Sequence, residues 1–232
     1  MQPKEVDTTK YETKPLNLVN GMPWPRISKQ DSKEQVQVPL KKEYLFRSMD
    51  YLDTTEARPI FDLQKDIIIK NKFKGIVDIG CRIGIQNDYL YEQGYTDYNY
   101  MGFDTSPQPI AYAQERWADV DTIEYRVADL LDKTNIAVDF KVDCIIWSGI
   151  LLYFPNNHLD IFKDLQQFYF APHAIIQEPC KYQDSDKWLD NMHLNTIETE
   201  LDSYKETFTC NLDKVVNCNI FSGKRRIMHL CL

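Results

Sequence analysis

Apolar residues along the chain change their spacing several times, and each change marks an element. From Lys41, Tyr44, Leu45, Met49 and Leu52 fall near one face of a helix. A second helix is expected at "TTEARP", with Thr55 as N-cap and Pro59 in its first turn. Ile60, Leu63, Ile67 and Ile68 form its buried stripe, and "NKFKG" ends it. Beyond it, short β-branched runs alternate with helical ones. "GIVDIG", "YNYMGFD", "IEYRVAD", "VDCIIWSG" and "HAIIQEP" read as strands, and the first is apolar enough to be buried on both faces. Between them, "IQNDYLYEQG" is a short helix stopped by Gly94. "SPQPIAYAQERW" is a helix with Ser106 as N-cap and Pro107 at its first position. "NNHLDIFKDLQQFYF" is a helix with Leu159, Phe162, Leu165 and Phe168 or Tyr169 on one side. After the helical "SDKWLDNMHLNTIETELDSYK", "LDKVVNCNIF" and "RRIMHLCL" flank the turn signal "SGK".

Alternating strands and helices predict a parallel sheet covered on both faces, and the closing hairpin makes the last strand antiparallel. Residues 1–40 break the pattern: they are polar and carry five prolines, including "GMPWPR". They read as an extended arm, able to dock on its own domain or a protein partner through Val19, Met22 and Trp24. Residues 41–72 form a helical lid, and residues 73–232 the α/β domain.

Composition narrows the function classes. The 232 residues are 43% hydrophobic and 27% charged, enough for a real core without a run of membrane-spanning length. The start, "MQPKEVDTTKYETK", shows no apolar signal-peptide region, so the cytosol is the default compartment. A net charge of −8 argues against bulk nucleic-acid binding. Cysteines at 81, 144, 180, 210, 218 and 231 have neither CxxC nor zinc spacing, so they read as reduced and structural, with no metal.

The chemistry gathers at strand ends. In an open parallel sheet, ligands bind at the carboxyl ends where strand order reverses. Gly80 and Gly84 bracket the turn after the first strand, and the helix start beyond them favours negative charge. Asp104 ends the second strand, where a carboxylate can accept both hydroxyls of a ribose; an Asx-turn into the next helix is its alternative role. Asp78, just before the glycines, could meet an ammonium group. Asp129 at the tip of the third strand could accept from an adenine amino group, with Asp132 as a rival.

"VDIGCRIG", "GFDTSPQPIAYA", "YRVADLL", "VDCIIWSGILLYF" and "KRRIMHLCL", in this order, resemble the class I S-adenosylmethionine-dependent methyltransferases from about Phe73 to Leu232. The resemblance implies a Rossmann-like, seven-stranded, mostly parallel sheet of order 3-2-1-4-5-7-6 with the last strand antiparallel. It implies S-adenosyl-L-methionine as cofactor. Gly80, Cys81 and Gly84 would pass close to its methionine part, Asp78 would orient the ammonium, and Asp104 with Thr105 would hold the ribose. Asp129 and the backbone of Leu130 would address adenine, and Trp147 and Ser148 would line the methionine side through their carbonyls. Arg82 stands where the family usually has a glycine.

The acceptor is less constrained. "WSGILLYF" lacks the Asp/Asn-Pro-Pro-aromatic pattern of base amino-methyltransferases and the Pro-Cys of cytosine C5 enzymes. Tyr153, His158 and Glu178 are the candidate catalytic residues, with Lys181 nearby, and Arg47, Tyr51 and Arg58 are lid candidates. His158 is suited to act as a base, or it stands idle in the first turn of its helix. Lys224, Arg225 and Arg226 lie near the pocket mouth on the cofactor side if the sixth strand is parallel, where they could meet an anionic substrate; a solvated turn with charges near the strand edge is the alternative. The expected function is methyl transfer to O, N or C of a small molecule or modified biopolymer. A methyltransferase-like assembly subunit is the alternative. A nicotinamide oxidoreductase ranks last, because the loop lacks GxGxxG spacing and there is no Tyr-x-x-x-Lys.

Overall fold

The structure, a computed structural model, describes residues 2–7, 58–151, 154, 157–179, 197–217 and 224–232. The first expected helix, Thr55, Tyr153, Lys181, and Val19, Met22 and Trp24 of the arm lie outside the described residues, as do Arg47 and Tyr51.

Twelve elements follow one another among the described residues: α1 (Arg58–Asn71), β1 (Gly75–Ile79), α2 (Ile85–Glu92), β2 (Asn99–Asp104), α3 (Pro107–Trp117), β3 (Ile123–Val127), β4 (Cys144–Ser148), α4 (His158–Tyr169), β5 (His173–Pro179), α5 (Ile197–Thr207), β6 (Thr209–Asn217) and β7 (Lys224–Cys231). They build a seven-stranded sheet of order β3-β2-β1-β4-β5-β7-β6. Strands β1 to β5 pair in parallel, and β7 runs antiparallel to both β5 and β6. This is the sheet order and strand sense expected above.

Burial follows strand alternation. Val77, Ile79, Met101, Phe103, Ile145, Trp147, Ala174, Ile176, Met228 and Leu230 face α4 and α5 and pack on Phe162, Leu165, Leu201 and Tyr204. Ile76, Tyr100, Tyr125, Cys144, Ile146, Ile175 and Ile227 face α1, α2 and α3. Every residue of β1 is buried, as a central parallel strand requires. The stripe of α1 includes Ile60, Ile67 and Ile68, but the polar Gln64 is buried with them. On α4, Ile161 and His158 are buried beside Phe162, Leu165 and Tyr169, whereas Leu159 is only partly covered. Ser106 occupies the N-cap of α3 without a side-chain capping bond.

Residues 2–7 dock on the domain. Val6 is buried against Ile83 and Tyr112. The Lys4 amide donates to the Arg116 carbonyl at 2.7 Å, and Lys4 Nζ pairs with Asp119 at 2.8 Å. The anchor seen is therefore Val6, an apolar residue that the expectation for the arm had not picked out.

Candidate functional site

The glycine loop leaves β1 at Gly80 and enters α2 at Gly84, both with left-handed backbones (φ +72° and +80°). Their missing side chains face protein. A Cβ on Gly80 would lie 2.3 Å from Ile150 Cδ1, and one on Gly84 would lie 2.2 Å from Tyr125 Oη. Both positions therefore need glycine for backbone shape and for packing of Ile150 and Tyr125. By contrast, a Cβ on Gly149, just past β4, would meet nothing within 4 Å among the described residues.

Arg82 also takes a left-handed backbone (φ +53°). This is the conformation glycine adopts freely, which accounts for a glycine at the same place in the family pattern. The loop is pinned to the tip of β2. The amides of Gly80 and Cys81 donate to the Phe103 carbonyl at 2.8 and 3.0 Å. The Arg82 amide donates to Asp104 Oδ2 at 3.1 Å, and the Ser106 amide to Asp104 Oδ1 at 2.8 Å. Asp104 thus makes the turn into α3 and also fastens the loop. Each of its oxygens accepts one of these bonds, and a carboxylate oxygen can accept two. The half-buried carboxylate keeps one acceptor position per oxygen, which suits a vicinal diol.

Asp78 is buried, with the Tyr100 hydroxyl donating to it. Burial raises its pKa to about 7; the Tyr100 bond opposes the rise, and the charge of Asp104 adds to it. A buried acid of this kind gains from a cation placed beside it. Cys81 is buried too, and burial pushes its thiol well up, so it behaves as an apolar loop residue.

At β3, Asp129 is half-buried and its Oδ1 accepts the Leu131 amide at 3.0 Å. Leu130 is buried behind it. Asp132 is exposed and turned to Thr134 and Asn135, which separates it from Asp129. Trp147 points into the core against Phe154 and Phe162, so only its backbone faces the loop side. Ser148 ends β4 half-buried, and Gln64 Nε2 donates to its hydroxyl at 3.3 Å. Gln64 was not among the expected site residues. Its signal in the sequence is a polar residue four positions after Ile60 and three before Ile67, on the apolar stripe of α1. Thr105 is half-buried at the tip of β2.

The two candidate catalytic residues that the structure describes have different partners. His158 is buried rather than idle in solvent. Its Nδ1 lies 3.0 Å from the Tyr204 hydroxyl and its ring stacks on Tyr204, on the α4–α5 face. Glu178 is fully buried at the end of β5, and its Oε1 accepts the amides of Ile150 at 2.8 Å and Leu151 at 3.1 Å. Burial raises its pKa to about 8. Both of these bonds are to the loop after β4.

Residues 76–168 match a family model described as a methyltransferase domain. Solved structures share the fold. An N-methyltransferase, NodS from Bradyrhizobium japonicum WM9, in complex with S-adenosyl-L-homocysteine, has a TM-score of 0.59 at 14% identity, over 82% of this chain and 96% of that one. The CurJ carbon methyltransferase has a TM-score of 0.60 at 14% identity, over 80% of this chain and 57% of that one. The magnesium protoporphyrin IX methyltransferase of Synechocystis PCC 6803, with bound SAM, has a TM-score of 0.53 at 15% identity, over 87% and 88%. No curated protein matches the chain in sequence. The likeness to a methyltransferase domain thus lies in residues 76–168, on a Rossmann-like fold that the chain shares with these structures.

Proposed function

We propose that the chain is an S-adenosylmethionine-dependent methyltransferase acting on an O, N or C atom of a small molecule or modified biopolymer. Residues 73–232 form the catalytic domain, 41–72 the lid and 1–40 the arm. The observation that carries this reading is Asp104: both oxygens are fixed by backbone amides of the loop and the α3 turn, with one acceptor position left on each. That cradle fits a ribose. Asp78 fits the ammonium end, while Asp129 and Leu130 fit the adenine edge. The floor beside Gly80 is Ile150.

S-adenosylmethionine supplies an electrophilic methyl on a sulfonium, which leaves as a neutral thioether. The protein's part is then chiefly alignment. Asp104, Asp78 and the loop fix one partner in place, and Ser148, Gln64 and Gly149 border the other. Of the candidate catalytic residues, Tyr153 is kept as a pocket wall. Glu178 is read as holding the β4 loop, and His158 as part of the Tyr204 pair. One observation favours the assembly-subunit alternative: Ile150 closes the space next to Gly80.

Isothermal titration with S-adenosyl-L-homocysteine separates the two. Saturable binding, weakened about tenfold or more by Asp104→Ala through loss of charge-assisted bonds, is expected of the enzyme. A folded chain that gives no heat is the scaffold. Labelled cofactor incubated with cell extract would then reveal the methylated product by its mass.

A further inference from the structure

Lys224, Arg225 and Arg226 enter β7 together, and the structure gives them different surroundings. Because β7 is antiparallel to β5 and β6, Asn217 pairs with Lys224 and Pro179 with Arg225. The start of β7 therefore lies at the carboxyl ends of β1 to β5, the end that also carries Asp104 and Ser148. Arg226 is committed to ion pairs. Its Nε and Nη2 each donate to Asp213 at 2.7 Å, and Nη2 also reaches Asp202 at 2.7 Å.

Strand alternation places Arg225 on the opposite face, in line with Ile227 and His229, which are buried on the α1 side. Ile227 pairs with Gln177, and Gln177 with Ser148, so Arg225 stands one step beyond the row that ends at Ser148. It is half-buried, and among the described residues it makes no ion pair. Its charge still reaches Glu178, whose carboxyl it draws down. A partly desolvated guanidinium presents a planar fork of donors matched to a carboxylate or phosphate.

We propose that Arg225 is an acceptor-recognition residue, and that the methyl acceptor carries an anionic group, carboxylate or phosphate, bound by this guanidinium at the carboxyl end of the sheet. This rests on the methyltransferase reading and narrows it to anionic acceptors.

The test titrates inorganic phosphate and succinate, in low-chloride buffer, into the full chain saturated with S-adenosyl-L-homocysteine. Trimethyl phosphate and succinamide serve as neutral counterparts. At least one anion is expected to bind and the neutral probes are not, and which anion binds distinguishes phosphate from carboxylate. Arg225→Gln should weaken anion binding roughly tenfold. Arg225→Lys should retain part of it, and Lys224→Gln, altered on the other face, should leave it unchanged. S-adenosyl-L-homocysteine affinity should be equal in all four proteins, which also reports their folding. Anions that ignore the wild-type chain, or that bind Arg225→Gln and Arg225→Lys as tightly as wild type, overturn the proposal. A chain that binds no S-adenosyl-L-homocysteine overturns the methyltransferase reading instead, and the same anion comparison without it still decides the role of Arg225.

Discussion

Asp78 is ionised only at some cost. Its carboxyl has lost water, Asp104 repels its charge, and the Tyr100 hydroxyl compensates in part, leaving the pKa at about 7. A ligand ammonium set beside it would favour the carboxylate, so binding below neutrality must expel a proton. Affinity for S-adenosyl-L-homocysteine should therefore fall as pH drops through 7, by about tenfold between pH 8 and pH 6. Titrations at the two pH values check this, and Asp78→Asn should flatten the difference. A dependence that survives in Asp78→Asn assigns it to another group. The position of Asp78 before the glycines was legible in the sequence. Its burial under Tyr100 was not, because that contact depends on the pairing of Asp78 with Gly102 across β1 and β2. Asp104 was legible as a strand-tip acid, and one carboxylate makes the turn into α3 and also fastens the glycine loop. Ile150 against Gly80 had no signal, since a glycine in a loop does not say which side chain fills its missing Cβ.

Elements bring together what residues alone do not announce. Glu178 ends β5, yet its work is on the loop that follows β4, where two buried amides depend on one of its oxygens. With a pKa raised to about 8, it is mostly protonated at neutral pH, and a glutamine carbonyl can accept the same two bonds. Glu178→Gln should keep near-wild-type turnover, whereas Glu178→Ala should lose about 1–3 kcal/mol of stability and raise KM for the acceptor. Turnover, KM and melting of the two variants decide between loop support and acid–base chemistry. The sign of its pH linkage follows from the raised pKa. Stability is fully present below the unfolded value of about 4.5 and is lost as pH rises through about 8, and Glu178→Gln should remove that decline.

The N-terminal segment works on the same scale. Val6 packs on Ile83 inside the glycine loop, and Lys4 is held by Arg116, whose Nε binds the buried Asp88 of α2 at 2.9 Å. Val6→Asp would force a carboxylate into that apolar contact. Faster hydrogen exchange at Ile83 and Gly84 is expected, with weaker S-adenosyl-L-homocysteine binding; unchanged exchange would show the loop to be independent of the strap. A single valine in "QPKEVD" has no periodicity to reveal it. Helix α2 hid its burial for a related reason. Gln86, Asn87 and Asp88 are buried polar residues, and pattern reading looks for apolar ones. Tyr98, just before β2, donates to Asn87, and Arg116 and Trp117 of α3 donate to Asp88.

At the scale of the whole molecule, the sheet order was legible because alternation of β and α, right-handed crossovers and a terminal hairpin leave few arrangements. Gln64 on Ser148 was not, since it joins residues 84 positions apart across a helix–sheet interface. The fold and the crevice make one joint prediction. The glycine loop is held by Asp104 and the Phe103 carbonyl of β2, and the loop after β4 is held by Glu178 of β5. A ligand bound across them stabilises the folded state as a unit, and only the folded state assembles them. At a hundred times its dissociation constant, S-adenosyl-L-homocysteine should add about 2.7 kcal/mol. For a domain of this size that raises the melting temperature by roughly 5–10 °C. NADH at the same concentration should leave it unmoved, because Asp104 and the Gly80–Gly84 turn offer no GxGxxG phosphate loop. Thermal unfolding with each ligand in turn separates the three function classes that the sequence left open. A shift with S-adenosyl-L-homocysteine alone keeps the transferase, one with NADH alone restores the oxidoreductase, and none with either, for a chain that unfolds cooperatively, leaves the assembly subunit.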